Sequence, residues 1–283
     1  MSSGSASPEA HRVRIMGVLN VTPDSFSDGG RFLEPARAVE HGLELLAQGA
    51  DLLDIGGEST RPGAAALAPE EELRRVVPVL AGLRERTQAP LSIDTTHLEV
   101  ARAALDAGAT IVNDVSAGRA DPRMLELVAQ RGAGFVAMHM QGSPRDMQRE
   151  PRYADVLREV TEFLRERAAA ALAAGVPRAG LWLDPGIGFG KTLEHNLALL
   201  AGTRALAALG QPLLLGLSRK SFLATIEQRA GLRPSAAHER LGGTLAACLW
   251  AARRGASVLR VHDVAPLRQA LAVADALEPL AGA

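Results

Sequence analysis

The chain has 283 residues, 47% of them hydrophobic, which is enough for a full core whether it folds as one large domain or two small ones. Its formal net charge of −1 excludes the global basic field that gathers nucleic acid or anionic membrane. The single cysteine, Cys248, excludes an internal disulfide or a cysteine metal cluster, and no apolar run reaches the roughly 18 residues of a membrane span. The polar start Met1 to His11 lacks a signal peptide's apolar centre, so a soluble, cytoplasmic protein with a disordered tail over residues 1–12 is expected.

After the tail, Arg14 to Leu19 reads as a strand, and the turn-rich loop Asn20 to Gly30 precedes a helix from about Pro35 to Gln48. Leu52 to Ile55 is the next strand, followed by Gly56-Gly-Glu-Ser-Thr-Arg-Pro-Gly63 and a helix over 69–86. The unit repeats. Leu91 to Ile93 ends at Asp94 before a helix near His97 to Ala107, and Ile111-Val112 ends at Asn113-Asp114 before one near Asp121 to Arg131. Phe135 to Met138 opens into His139 and a long helix over 153–174. Leu181 to Leu183 leads to Asp184 and a glycine loop, then a helix near Thr192 to Ala208. Leu213 to Gly216 leads to Ser218-Arg-Lys-Ser221 and helical sequence that is strongest over 239–254. Val258 to Val261 leads to His262-Asp263 and a helix from Pro266.

Eight apolar runs, each followed by a helix and with no internal linker, predict a single α/β chain folded as a (β/α)8 TIM barrel. An open doubly wound sheet fits the alternation less well, because polar clusters follow nearly every strand, as at a barrel mouth. In a barrel Asn20, Thr60, Arg61, Asp94, Asn113, Met138, Asp184, Lys220, Arg260 and His262 converge on one pocket.

The stretch Asp184-Pro-Gly-Ile-Gly-Phe-Gly-Lys-Thr192 superficially resembles a phosphate-cradling loop, but Pro185 stands where that pattern needs its first glycine and has no N–H to offer. Asp94, Asn113 and Asp184 instead offer acceptors, and an amide that also donates, to a flat heterocycle with an amino group beside a ring N–H. Each also has a purely structural reading as a turn or near-cap residue. Arg61, Arg260 and His262, with the Thr60 hydroxyl, are donors of the kind that bind a phosphate or diphosphate, and for Arg260, inside a strand, a structural salt bridge is the lesser reading. Of 31 cationic side chains only Lys191 and Lys220 are lysines, both in strand-end loops, where a compact and tunable ammonium differs from a guanidinium. No zinc-protease, serine-triad or cysteine metal pattern is present, so displacement of a phosphorylated leaving group is the chemistry suggested.

Five ordered motifs, Asn20 to Gly30, Asp54 to Gly63, Asp184 to Lys191, Ser218 to Ser221 and Arg260 to Asp263, together resemble the dihydropteroate synthase family from about Val13 to Leu277. The resemblance implies a pterin-binding barrel over residues 13–283. It implies an enzyme, a transferase, that joins 6-hydroxymethyl-7,8-dihydropterin diphosphate to 4-aminobenzoate, releasing diphosphate and 7,8-dihydropteroate for folate biosynthesis. The family is the target of sulfonamides. By the same resemblance Asp94, Asn113, Asp184 and Lys220 hold the pterin, with Met138 and Phe189 near its ring. Diphosphate lies against Asn20, Arg61, Arg260 and His262, with Mg²⁺ reached through Asn20. Thr60, Pro62 and Ser221 border the 4-aminobenzoate pocket, Ser221 opening a helix whose N-terminal amides favour a carboxylate. Lys220, Arg260, Asp94 and Asp184 are the expected catalytic set.

The loops over 22–31 and 59–65 are expected to close over the substrates, and relatives suggest a homodimer built on helices of the C-terminal half. Ile187 departs from the Phe of many relatives. Two other readings are a pterin-dependent methyltransferase barrel working with a corrinoid partner and a non-catalytic pterin-binding paralogue. The intact Arg61, Arg260, Lys220 and Ser221 speak against both. Lys191 is left between a loop anchor and a diphosphate contact.

Overall fold

The computed structural model describes residues 12–21, 34–58, 67–143 and 145–278. Eight parallel strands appear among them: β1 (Arg14–Asn20), β2 (Leu52–Gly56), β3 (Leu91–Asp94), β4 (Ile111–Asp114), β5 (Gly134–Met138), β6 (Leu181–Asp184), β7 (Leu214–Gly216) and β8 (Val258–Val261). They are hydrogen-bonded in the order β6-β5-β4-β3-β2-β1-β8-β7, and a parallel bridge from Leu183 to Leu213 brings β6 against the start of β7. The sheet thus returns on itself as the expected (β/α)8 barrel.

Helices α1 (Glu34–Ala47), α2 (Pro69–Arg86), α3 (Leu98–Asp106), α4 (Arg123–Gln130), α5 (Val156–Ala173), α6 (Leu193–Ala201), α7 (Thr203–Ala207), α8 (Ser221–Arg229), α9 (Leu241–Ala252) and α10 (Val264–Leu277) surround it. The helix expected over 192–208 is two. Gly202 separates α6 from α7, and a Cβ there would stand 2.5 Å from a methyl of Leu157 on α5, so a larger residue requires that side chain to move. The last helix begins at Val264, two residues earlier than expected, which puts Pro266 in the first turn, where its missing N–H costs no bond.

Side chains alternate across the strands, so each strand feeds two cores. Leu53, Ile55, Ile93, Val112, Ala137, Leu183, Leu215 and Leu259 face outward and pack beneath the helices in the main core. Met16, Leu52, Ile111, Val136, Trp182, Leu214 and Val258 form a separate buried cluster inside the barrel. The interior is therefore a packed plug, as closed eight-stranded barrels require.

Two residues further along, on the same inward face, five of the strands turn polar, while β5 stays apolar. Leu52 is followed by Asp54, Ser92 by Asp94, Ile111 by Asn113, Val136 by Met138, Trp182 by Asp184, and Val258 by Arg260. An apolar floor thus carries a polar layer at the strands' C-terminal ends. No helix among the described residues is long and apolar enough to cross a membrane.

Candidate active site

The polar layer is held together by one ion-paired network. Arg260 Nε donates to Asp54 Oδ2 at 2.6 Å and Arg260 Nη2 to Asp94 Oδ2 at 2.8 Å. Asn113 Nδ2 donates to the same Asp54 oxygen at 3.0 Å. Residues from β8, β2, β3 and β4 therefore meet although as many as 206 positions separate them in sequence. The other Asp54 oxygen is buried with no hydrogen-bond partner. Asp94 and Asn113 are direct register partners across β3 and β4. Asn20 ends β1 opposite Gly56, and a Cβ on Gly56 would lie 3.9 Å from Asn20 Oδ1 and 3.8 Å from Asp94 Oδ2, so the glycine leaves open space between these oxygens.

On the opposite wall Asp184 ends β6, and its Oδ1 accepts the Gly186 N–H at 2.7 Å. Gly186, Gly188 and Gly190 all adopt positive φ, which lets the loop fold back over Met138 and His139. Lys220 reaches this loop: its Nζ donates to Ile187 O at 2.7 Å and lies 4.0 Å from the Phe189 ring centroid. Phe189 packs against the buried Val115, Met138, Met140 and Met147, which form an apolar patch beside the polar layer.

The electrostatics follow from burial. Desolvation pushes the Asp94 carboxyl up to about 7, with Arg260 opposing and Asp54 reinforcing the shift. Asp184 is likewise raised by burial, against the Gly186 N–H and the nearby lysines. Burial lowers Lys220 to about 8, although Asp184 pulls the other way. Arg260 is held above its ordinary value by Asp54 and Asp94, which outweigh its burial.

Lys220 immediately precedes α8, and Ser221 is that helix's first residue, exposed. The turn before it is unusual because Arg219 has φ of 61°, the left-handed region that a non-glycine residue enters only when held. Its guanidinium makes a paired contact with Asp263 at 2.9 and 2.5 Å, and its N–H donates to Thr244 Oγ1 at 3.0 Å. His262 turns its Nδ1 to Ser218 Oγ at 3.0 Å.

Of the residues expected at the mouth, Asp94, Asn113 and Arg260 belong to one bonded network, Asp184 and Lys220 to the opposite wall, and Met138 and Phe189 to the apolar patch. Thr60, Arg61 and Pro62, with the loops over 22–31 and 59–65, lie outside the described residues, as does the tail apart from Arg12.

Asp54, missed by the sequence reading, is the hub of the network. Its signal was its place two residues after Leu52, the parity shared by Asp94, Asn113 and Asp184. Lys191, left ambiguous, is an anchor. It is buried, and its Nζ donates to His139 Nδ1 and to Phe189 O, both at 2.9 Å. Burial lowers Lys191 to about 7, and burial together with Lys191 lowers His139 to about 3, so the imidazole is neutral and accepts. Asp114 serves structure, accepting the N–H groups of Ser116 and Gly118 at 2.7 Å. Separately, Glu58, Glu72 and His97 bring potential metal-ligand atoms within 4.8 Å of one another.

The pterin binding enzyme family profile matches residues 16–262. The dihydropteroate synthase of Mycobacterium leprae is 49% identical over 267 residues, 93% of each chain. The Xanthomonas albilineans dihydropteroate synthase with 4-aminobenzoic acid aligns with a TM-score of 0.87 at 50% identity, covering 94% of this chain and 93% of that one. The same organism's enzyme in complex with 7,8-dihydropteroate aligns with a TM-score of 0.83 at 47% identity, covering 94% of each chain. With its barrel, its ring of strand-end carboxylates and this similarity along nearly its whole length, the chain belongs to the dihydropteroate synthase family of pterin binding enzymes.

Proposed function

We propose that this chain condenses 6-hydroxymethyl-7,8-dihydropterin diphosphate with 4-aminobenzoate, giving 7,8-dihydropteroate and diphosphate for folate biosynthesis. The observation that carries the reading is the inward layer itself: Asp94, Asn113 and Asp184 at the ends of three strands, with Met138, Phe189 and Lys220 beside them. A pterin is flat and edged with N–H groups. Carboxylates satisfy its amino and ring N–H donors, Asn113 both donates and accepts, and the apolar patch takes its face.

The scissile C–O bond then lies toward the donor side of the mouth. As it breaks, negative charge grows on the leaving diphosphate, and Arg260, His262 and Arg61 stabilise it. A guanidinium carries five N–H donors, so the bonds from Arg260 to Asp54 and Asp94 leave others for an anion. The methylene carbon gains cationic character, spread into the pterin and favoured by the nearby carboxylates. The 4-aminobenzoate nitrogen attacks it and loses a proton, so no protein nucleophile is needed. Thr60, Pro62 and Ser221 border that second substrate, whose carboxylate suits the N-terminus of α8.

Asn20 offers a carboxamide oxygen beside the space that Gly56 leaves open, a hard donor of the kind Mg²⁺ takes alongside substrate phosphates. When bound there, Mg²⁺ supplies neutralising charge for the diphosphate.

A homodimer is supported by the distribution of exposed large apolar side chains. Among the described residues Leu197, Ile226, Leu232, Trp250, Val273 and Leu277 all fall in the C-terminal part of the chain. A cytoplasmic setting is supported by the lone buried thiol of Cys248.

The test is diphosphate release by the purified protein with the pterin diphosphate and Mg²⁺, with and without 4-aminobenzoate. Release that requires both substrates and matches dihydropteroate formed is the expected result. Pterin binding without release assigns the chain to a non-catalytic paralogue instead.

A further inference from the structure

Beside the mouth, a second group of ionisable side chains is gathered that the condensation does not use. Glu58 follows β2, Glu72 lies in the first turns of α2, and His97 follows β3, three residues after Asp94. We propose that Glu58, Glu72 and His97 form a binding site for a first-row divalent transition-metal ion of the Zn²⁺ type, distinct from the diphosphate-associated Mg²⁺ at Asn20.

Two observations carry this. The three residues each offer a ligand atom within 4.8 Å of the others. Independently, the Glu72 side chain is fully buried: Oε2 meets His97 Nδ1 at 2.7 Å, while Oε1 has no hydrogen-bond partner of good geometry, although the Thr95 hydroxyl lies close enough to favour the carboxylate's charged form against its burial. An open oxygen on a buried carboxylate is costly, and native structures answer such an atom with a donor, a water or an ion. The carboxylate cannot turn away, because α2 packs closely here. A Cβ on Gly57 would meet Val76 Cγ1 at 2.9 Å and Glu72 Cγ at 3.0 Å. Glu58 and His97 are only half-buried, so an ion can enter from solvent between them.

The donor set decides the class of ion. Two carboxylates and one imidazole suit Zn²⁺ and its first-row neighbours, whereas Mg²⁺ prefers oxygen donors throughout and keeps its waters. Bonds of about 2.0–2.2 Å require the ligand atoms to draw together, which rotation of the Glu58 side chain permits.

The consequence is structural. Glu58 Oε1 already accepts the Leu67 N–H at 3.0 Å, and Arg75 donates to Gly57 O at 2.9 Å. A metal joining Glu58 to Glu72 and His97 clasps the end of β2, the start of α2 and the segment after Asp94.

The full chain, stripped with a chelator, is titrated with Zn²⁺ alone against a chromogenic chelator and by calorimetry, with Mg²⁺ and Mn²⁺ in parallel. The expected result is one Zn²⁺ per chain, not displaced by Mg²⁺, and a melting temperature raised by Zn²⁺. Glu72→Gln could unfold the chain, so His97→Ala and Glu58→Gln, at partly exposed positions, carry the test. Each weakens Zn²⁺ binding by roughly 10–100-fold or more, the loss seen even for residues that only support a ligand. The exposed His238→Ala leaves binding unchanged. Absence of saturable Zn²⁺ binding, or binding undiminished in both His97→Ala and Glu58→Gln, overturns the proposal.

Discussion

Arg260 and Asp54 meet at 2.6 Å at the barrel's mouth, and the Asp54 oxygen that receives Arg260 also receives Asn113 at 3.0 Å. One buried carboxylate thus sets the position of a residue assigned to the leaving group and of one assigned to the pterin. Asp54→Asn keeps the shape but removes the charge, and its amide offers fewer acceptor positions. The expected outcome is a loss of about 3 kcal/mol in urea unfolding, at the low end for a broken buried pair because Arg260 retains Asp94. A fall of roughly 10²-fold in kcat/KM accompanies it, since both groups lose their aim.

The two walls of the site lose their charge in opposite directions of pH. Asp94, raised to about 7, takes up a proton as pH falls through that value, and Lys220, lowered to about 8, loses one as pH rises through it. If the active form has Asp94 ionised and Lys220 charged, kcat/KM is bell-shaped with its maximum between these values. Lys220→Arg flattens the alkaline limb at a lower overall rate. An alkaline limb unchanged in Lys220→Arg removes Lys220 from the reaction.

Asp94 also affects stability. Its folded pKa lies above the ordinary 3.8, so the native state holds the proton more tightly than the unfolded chain. Its contribution is fully present below about 4 and is lost as pH rises through about 7. In Asp94→Asn the melting temperature of the substrate-free protein falls less between these values than in the wild type.

Gly186 and Gly210 both have positive φ, 66° and 86°, but different surroundings. A Cβ on Gly186 would stand 1.9 Å from His139 O, while nothing lies within 4 Å of one on Gly210. Gly210→Ala therefore costs only backbone strain, about 1–2 kcal/mol. Gly186→Ala adds a collision with main chain and costs about 4 kcal/mol or more. Chemical denaturation of the two variants separates the terms.

Lys191 bonds His139 Nδ1 and Phe189 O beneath the glycine loop. Lys191→Met keeps the apolar stem and leaves both acceptors unanswered, at a cost of about 1–3 kcal/mol. Because Phe189 borders the pterin patch, the KM for the pterin diphosphate rises while the KM for 4-aminobenzoate stays near the wild-type value. Steady-state kinetics with each substrate varied in turn checks this.

Much of the architecture was legible in the chain because a parallel barrel writes each strand as a short apolar run and each crossover as an amphipathic helix. The glycine loop is legible for another reason: Pro185 and the three glycines after it are poor helix or strand interior. The break at Gly202 was not legible, because an isolated glycine inside a helical pattern is often carried through without ending the helix.

The sequence by itself determined the strand count, the order of the helices and the identity of the polar residues that end the strands, since these depend on local periodicity and on residue type. Only the tertiary structure decided which of those residues touch. Asp54 looked like one more strand residue until closure of the barrel set it against Arg260 and Asn113. Lys191 became an anchor once β5 and the glycine loop were packed together, and the buried Glu72 met the half-buried His97 once α2 lay beside the segment after β3. Distances of this kind arise from closing the sheet on itself, which no run of neighbouring residues encodes.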